Sequence, residues 1–162
     1  MNYYNETSQN YNELHGEEQI RKAKLILNEI SKKKTKGLLL DIGGGTGIST
    51  EIFSENYDCI LIDPSERLIE QAPPQIVKIL GEAEELPFSD NKFDIIISIT
   101  ALHHTDLSQA TKEIKRVSKQ GTLIAISFLK KSPKIKEFRE LFNNNFKSRE
   151  IEEDKDIIFF NF

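Results

Sequence analysis

The chain reads as an α/β protein: a three-layer α/β/α sandwich around a doubly wound, mostly parallel sheet that closes with a C-terminal antiparallel hairpin. Three observations predict this. Short apolar runs alternate with helically spaced stretches five times, the pattern of βαβ units that build a parallel sheet with helices on both faces. The run Phe93 to Ile99 is apolar almost throughout, as in a strand covered on both sides. A glycine-rich turn follows the first apolar run, where such sheets open to a ligand. A length of 162 residues is that of one domain.

Residues 1–16, with Tyr3, Tyr4 and Tyr11, show no period and suggest a flexible arm. Ile20, Ala23, Leu27 and Ile30 then recur at helical spacing, giving a helix over 17–34 with a Lys-rich end that suits the helix dipole. The core is expected over 37–128. Its first strand, Leu38-Leu39-Leu40-Asp41-Ile42, stops at Gly43, and a helix over 46–55 turns Ile48, Ile52 and Phe53 inward. A second strand covers 59–63, Ser65 caps a short helix stopped by Pro73-Pro74, and strand three covers 76–80. Strand four is 93–99, a helix face follows at Leu107, Ala110, Ile114 and Val117, and Gly121 opens strand five over 122–128. Residues 133–162 supply a last helix, from Pro133 to the Asn143-Asn144-Asn145 run, and two strands that form the hairpin.

Composition narrows the function classes. With 22 Lys and Arg against 26 Asp and Glu the net charge is −4, which provides no global pull toward nucleic acid or anionic membranes. The lone Cys59 allows neither an intrachain disulfide nor a Cys-based metal site, and fits a reducing cytoplasm. Apolar runs fall far short of the 18 or so residues that span a bilayer, so no membrane partner is expected.

The densest signal is Asp41-Ile42-Gly43-Gly44-Gly45-Thr46-Gly47. Glycines let the backbone turn sharply and approach a ligand closely, and the helix that follows offers free N–H groups. The spacing departs from two alternatives: Ile48 stands where a dinucleotide fingerprint needs its last glycine, and no Lys follows as in a phosphate loop. The Asp41 carboxylate would repel a pyrophosphate and attract a cation, so the expected ligand is a nucleoside carrying positive charge. Asp63, twenty residues after Gly43 at the end of strand two, can accept from both ribose hydroxyls; it can also cap the helix near Ser65.

These segments together resemble class I S-adenosylmethionine-dependent methyltransferases, most similarly the group related to quinone biosynthesis (methyltransferase type 11), over about residues 37–128. The resemblance implies a Rossmann-like fold and S-adenosyl-L-methionine as methyl donor, with S-adenosyl-L-homocysteine as product. It places cofactor contacts on Asp41, Gly43, Gly44, Gly45, Gly47, Asp63 and Pro64. The segment Gly81-Glu82-Ala83-Glu84-Glu85-Leu86-Pro87-Phe88 resembles the one that closes over adenine, with Glu82 accepting from the amino group and the Ala83 N–H reaching a ring nitrogen. Backbone around Ser98 would hold the methionine amino group. Glu82 stands for the commoner Asp, and Lys119-Gln120-Gly121-Thr122 for a Lys-Pro-Gly-Gly turn.

Methyl transfer from a sulfonium is an in-line displacement with a neutral leaving group, so it needs alignment above all; near-attack placement supplies up to about 7 to 11 kcal/mol. Where the acceptor must lose a proton, His103 is the best-placed base, with His104 its neighbour, although the pair can equally shape the pocket rim. The three histidines have no metal-binding cluster around them. The acceptor, small molecule or macromolecule, is not specified, and the short link before the last helix leaves a pocket that is open or completed by a partner subunit. Two further classes compete: a cofactor-binding regulatory or scaffolding subunit, and a nicotinamide-dependent oxidoreductase, which Asp41 and Ile48 disfavour.

Overall fold

The computed structural model describes the backbone of residues 3–162 and side chains from Glu13 onward. Seven strands form one sheet in the order β3-β2-β1-β4-β5-β7-β6. They are β1 (Leu38–Ile42), β2 (Asp58–Asp63), β3 (Val77–Leu80), β4 (Phe93–Ile99), β5 (Ser118–Leu129), β6 (Arg149–Glu152) and β7 (Asp156–Phe160). The first five run parallel, and β7 turns back antiparallel to both β5 and β6, which confirms the mostly parallel sheet and its C-terminal hairpin. The helices are α1 (Tyr3–Ser31), α2 (Ile48–Phe53), α3 (Glu66–Ile69), α4 (Leu107–Val117) and α5 (Ile135–Asn145).

Alternation along the strands divides the apolar residues between two cores, because successive side chains point to opposite faces. Leu40, Ile42, Ile96, Ile124 and Phe159 face α4 and α5, where Phe128 stacks on Phe138 with centroids 4.7 Å apart. Leu39, Ile95, Ile97, Ala125 and Ile158 face α1 and α2 and meet Ala23, Ile26, Ile30 and Phe53. Both faces are covered, which is why β4 shows no polar alternation.

Two boundaries and one buried face differ from the sequence expectation. The stretch expected as an arm is helical, and α1 begins at Tyr3 rather than near Glu17; the side chains of Tyr3, Tyr4 and Tyr11 lie outside the described residues. The buried face of α1 is also rotated: Gln19, Lys22, Ala23, Ile26 and Ile30 are inside, so this helix buries two polar side chains just past its midpoint. Finally, β5 begins at Ser118, directly after α4, and its pairing with β4 shifts register between Phe93 and Ile95. Gly121, at φ +82°, lies within this strand instead of opening it.

Candidate active site

The carboxyl ends of β1, β2 and β4 meet at the glycine turn. Gly43, Gly45 and Gly47 all have positive φ, and two of the four glycines stand against neighbours that leave no room for a side chain. A Cβ on Gly43 would lie 2.4 Å from the Ala101 Cβ, and one on Gly44 would lie 2.6 Å from Leu61 Cγ. Gly45 is different: nothing stands within 3.8 Å of its Cβ position, so a side chain there would occupy the ligand space itself. The turn is tied to β2 by Asp63, whose Oδ2 accepts from the Gly45 N–H at 3.0 Å and whose Oδ1 accepts from the Ser65 N–H at 2.9 Å. Ser65 in turn caps α3, accepting from the Leu68 N–H. Asp63 thus fixes the cap residue while Ser65 does the capping.

Three adjoining hollows run along this edge. A cavity of about 320 Å³ lies between Asp63, Pro64, Glu82, Ala83 and Leu102. A second, of about 740 Å³, is bounded by Gln19, Asp41, the glycines 43–45 and Thr100, and shares Gly43 and Asp63 with the first. A third, of about 480 Å³, is lined by Lys22, His103, His104 and Asp156, and shares His15 and Thr100 with the second. Each is of the size that holds a small ligand. The residues expected on either side of a bound nucleoside, Asp63 and Pro64 against Glu82 and Ala83, do converge on the first hollow.

Gly47 and Ser98 themselves line none of the three hollows. Gly47 precedes α2; a Cβ there would sit 3.1 Å from the Ala72 Cβ, so its glycine lets the turn pass the end of α3. Ser98 is fully buried and donates through Oγ to the Ile42 carbonyl at 2.8 Å, clasping β4 to β1, and the lining passes to Ile99 and Thr100.

The loop 81–88 is held from behind by α4. Arg116 donates to the carbonyls of Leu86 (2.9 Å) and Phe88 (2.7 Å) and pairs with Glu113, whose other oxygen accepts from the Leu86 N–H at 2.8 Å. This positions Glu82 and Ala83, and Ala83 itself packs into the core that α4 builds with Leu107, Ala110 and Ile114.

Asp41 is 1% exposed and accepts from the Thr50 hydroxyl at 2.7 Å. Burial, opposed by that hydrogen bond and reinforced by the Asp63 charge, raises its pKa from 3.8 to about 7. The folded protein therefore holds a proton on Asp41 that the unfolded chain loses near 3.8, and this contribution to stability is lost as pH rises toward 7. Asp41→Asn is expected to melt at a higher temperature than the wild type at pH 8, with the gap closing toward pH 4, while binding a cationic ligand less tightly. Melting curves at both pH values check this; a gap unaffected by pH would count against it.

The third hollow rests on a polar cluster that sequence reasoning missed. Lys22 of α1 donates through Nζ to Thr100 Oγ1 at 2.6 Å and lies 3.4 Å from Asp156 Oδ1, with 5% and 2% of the two charged side chains exposed. Thr100 donates to Asp156 Oδ2 at 2.7 Å, and its own N–H is held by Ser127 Oγ at 2.9 Å. These bonds hold Thr100 at φ +51°, in a conformation a β-branched residue rarely adopts. His103 packs its ring near His104 (3.9 Å between centroids) and edge-on to Phe128 (6.2 Å). Its Nδ1 is buried with no hydrogen-bond partner among the described residues. Desolvation, together with His104 and Lys134 and against Asp156, lowers its pKa below the ordinary imidazole value. His15 is lowered too, by desolvation first and then Lys22. No group of acidic, His and Cys side chains fit for a metal occurs among the described residues, and none of their helices is long and apolar enough to cross a membrane.

Comparison with known proteins agrees with this geometry. A family model described as a methyltransferase domain matches residues 40–126. An uncharacterized methyltransferase of Mycobacterium tuberculosis is 32% identical over 107 residues, covering 64% of this chain and 44% of that protein. A demethylmenaquinone methyltransferase of Corynebacterium glutamicum is 32% identical over 92 residues, covering 55% of this chain and 40% of that one. The chain thus spans about half the length, or less, of these curated relatives. In three dimensions it is similar to the YcgJ protein of Bacillus subtilis, with a TM-score of 0.72 and 23% identity over 82% of this chain and 71% of that one. With the matched segment running from the strand that carries Asp41 to the middle of β5, the chain belongs to the methyltransferase domain family and has the class I S-adenosylmethionine-dependent methyltransferase fold.

Proposed function

We propose that this protein is an S-adenosyl-L-methionine-dependent methyltransferase whose acceptor enters the hollow between His15, Lys22, His103 and Asp156. The observation that carries the reading is the adjacency of the three hollows: the space beside the glycine turn and the histidine-lined space share His15 and Thr100 as a common wall. The donor set fits the cofactor. Asp63 and Glu82 offer acceptors on the nucleoside side, the Gly45 position leaves open space at the turn, and a cation beside Asp41 would favour the ionised form that burial disfavours. When bound, S-adenosyl-L-methionine supplies a methyl group activated by its sulfonium.

The chain's own task is then alignment. Rigid β4 and the strained Thr100 fix the boundary between the two spaces, so donor and acceptor meet in one geometry. His103 lines the third hollow, and its lowered pKa favours the neutral imidazole, the form suited to accept a proton from an acceptor hydroxyl. For such an acceptor His103→Ala is expected to lower kcat by about a hundredfold or more with little change in cofactor affinity. A variant turning over a hydroxyl acceptor at the wild-type rate removes His103 from the chemistry.

The reading as a whole is tested by calorimetry with S-adenosyl-L-homocysteine and by transfer of labelled methyl groups to a cell extract. Binding with transfer is the expected result; failure to bind overturns it. A second reading, a cofactor-binding subunit of a larger assembly, draws on edge strand β3, where Val77 and Leu80 are more than half exposed. Binding with no transfer until a second protein is supplied would favour it.

A further inference from the structure

Helix α1 lies across the glycine turn, with Gly16 close enough to α2 that a Cβ would stand 3.3 Å from Ile48 Cδ1. One turn further along, Gln19 is 7% exposed and forms part of the wall of the 740 Å³ hollow that also contains Asp41 and the glycines. Its Nε2 donates to His15 Nε2 at 3.2 Å, the arrangement a neutral His15 permits. Its Oε1 is buried and accepts from no protein group among the described residues. Gln19 as a residue lines the hollow, so a turn of its amide presents this unmatched acceptor to a ligand bearing N–H donors, which relieves the cost of leaving it buried and unpaired.

The same hollow includes the Asp41 carboxyl group on its sheet side, which a neighbouring cation would favour in its ionised form. A carboxamide oxygen on the helix and a carboxyl group on the sheet together favour a group that is both cationic and rich in N–H donors, which describes a primary ammonium better than a carboxylate or a base edge. We infer that Gln19 is a specificity-determining residue that recognises the amino-acid ammonium of the cofactor, so that α1 forms one wall of the binding site. This rests on the cofactor reading above. It also gives a physical reason for a polar residue on the buried face of α1, where an apolar one would pack at lower cost.

The test compares two ligands by calorimetry: S-adenosyl-L-homocysteine, which carries the amino-acid end, and 5′-methylthioadenosine, which lacks it. Gln19→Leu is expected to weaken the first by about ten- to a hundredfold and leave the second unchanged. Gln19→Glu, which keeps an acceptor, should hold the first within about threefold of wild type. If Gln19→Leu does not fold, Gln19→Met carries the same comparison with a chain of similar length. Unchanged binding of S-adenosyl-L-homocysteine overturns the inference and leaves the cofactor reading standing. Equal weakening of both ligands also overturns it, because it marks Gln19 as a support of the fold. Wild-type protein that binds neither ligand overturns the cofactor reading and the inference with it.

Discussion

Asp156→Ala is expected to lower folding stability by about 3–5 kcal/mol, because it leaves the Lys22 ammonium buried without its counter-charge. The pair joins distant parts of the chain: Lys22 comes from α1 and Asp156 opens β7, and both are almost wholly enclosed. Among the described residues, Thr100 Oγ1 would remain as the hydrogen-bond acceptor of Lys22, and it would lose the carboxylate to which it donates. The double variant Lys22→Met, Asp156→Leu removes both charges together and should recover most of the loss, since an apolar pair of similar volume carries no desolvation cost. Urea denaturation of the three proteins gives the numbers. A single variant that loses less than about 1 kcal/mol would show that solvent reaches the pair and that the buried-charge account is wrong.

Gly43→Ala is the second large effect, at about 2–5 kcal/mol from two sources. A left-handed φ of +71° costs a residue with a Cβ about 1–2 kcal/mol, and forcing that Cβ against the Ala101 methyl adds about 1–3 kcal/mol of overpacking. The two contributions separate experimentally. Ala101→Gly in the same chain removes the 2.4 Å conflict and leaves the dihedral strain, so it should restore only the packing part. Gly43 and Ala101 both line the 320 Å³ hollow, so the loop displacement that relieves the conflict also narrows it. Affinity for S-adenosyl-L-homocysteine should therefore fall in Gly43→Ala even at temperatures where it remains folded. A fully stable, fully binding Gly43→Ala would mean that the turn has slack the geometry does not show.

The order of elements was legible because the signals are local. The apolar runs at β1, β2 and β4 fix strands within a residue of their ends, and the turn Gly43 to Gly47 announces the site by the rarity of four glycines in five positions. Asp63 could be placed at the mouth of the site from spacing alone, and the structure brings it to the Gly45 N–H. What escaped was whatever depends on contacts distant in sequence. Backbone around Ser98 was expected beside a ligand, and the adjoining Ile99 and Thr100 do line the second hollow; the Ser98 hydroxyl itself is spent on the Ile42 carbonyl of the neighbouring strand, a pairing that only the sheet register reveals.

Helix α1 shows the division most clearly. Its sequence contains a helical period, but two faces fit that period nearly as well, one through Ile20 and Leu27 and one through Gln19, Lys22 and Ile26. Hydrophobicity favours the first. The second is the buried one, because Lys22 and Gln19 find partners or a cavity wall in residues up to 134 positions away. By itself, then, the sequence determined the α/β class, the strand that carries Asp41 and the turn at the sheet's edge, all products of neighbouring residues acting on the local backbone. Only the tertiary structure decided which face of α1 turns inward and which side chains surround the second and third hollows, because the cost of burying a polar group is set by the partners it meets there.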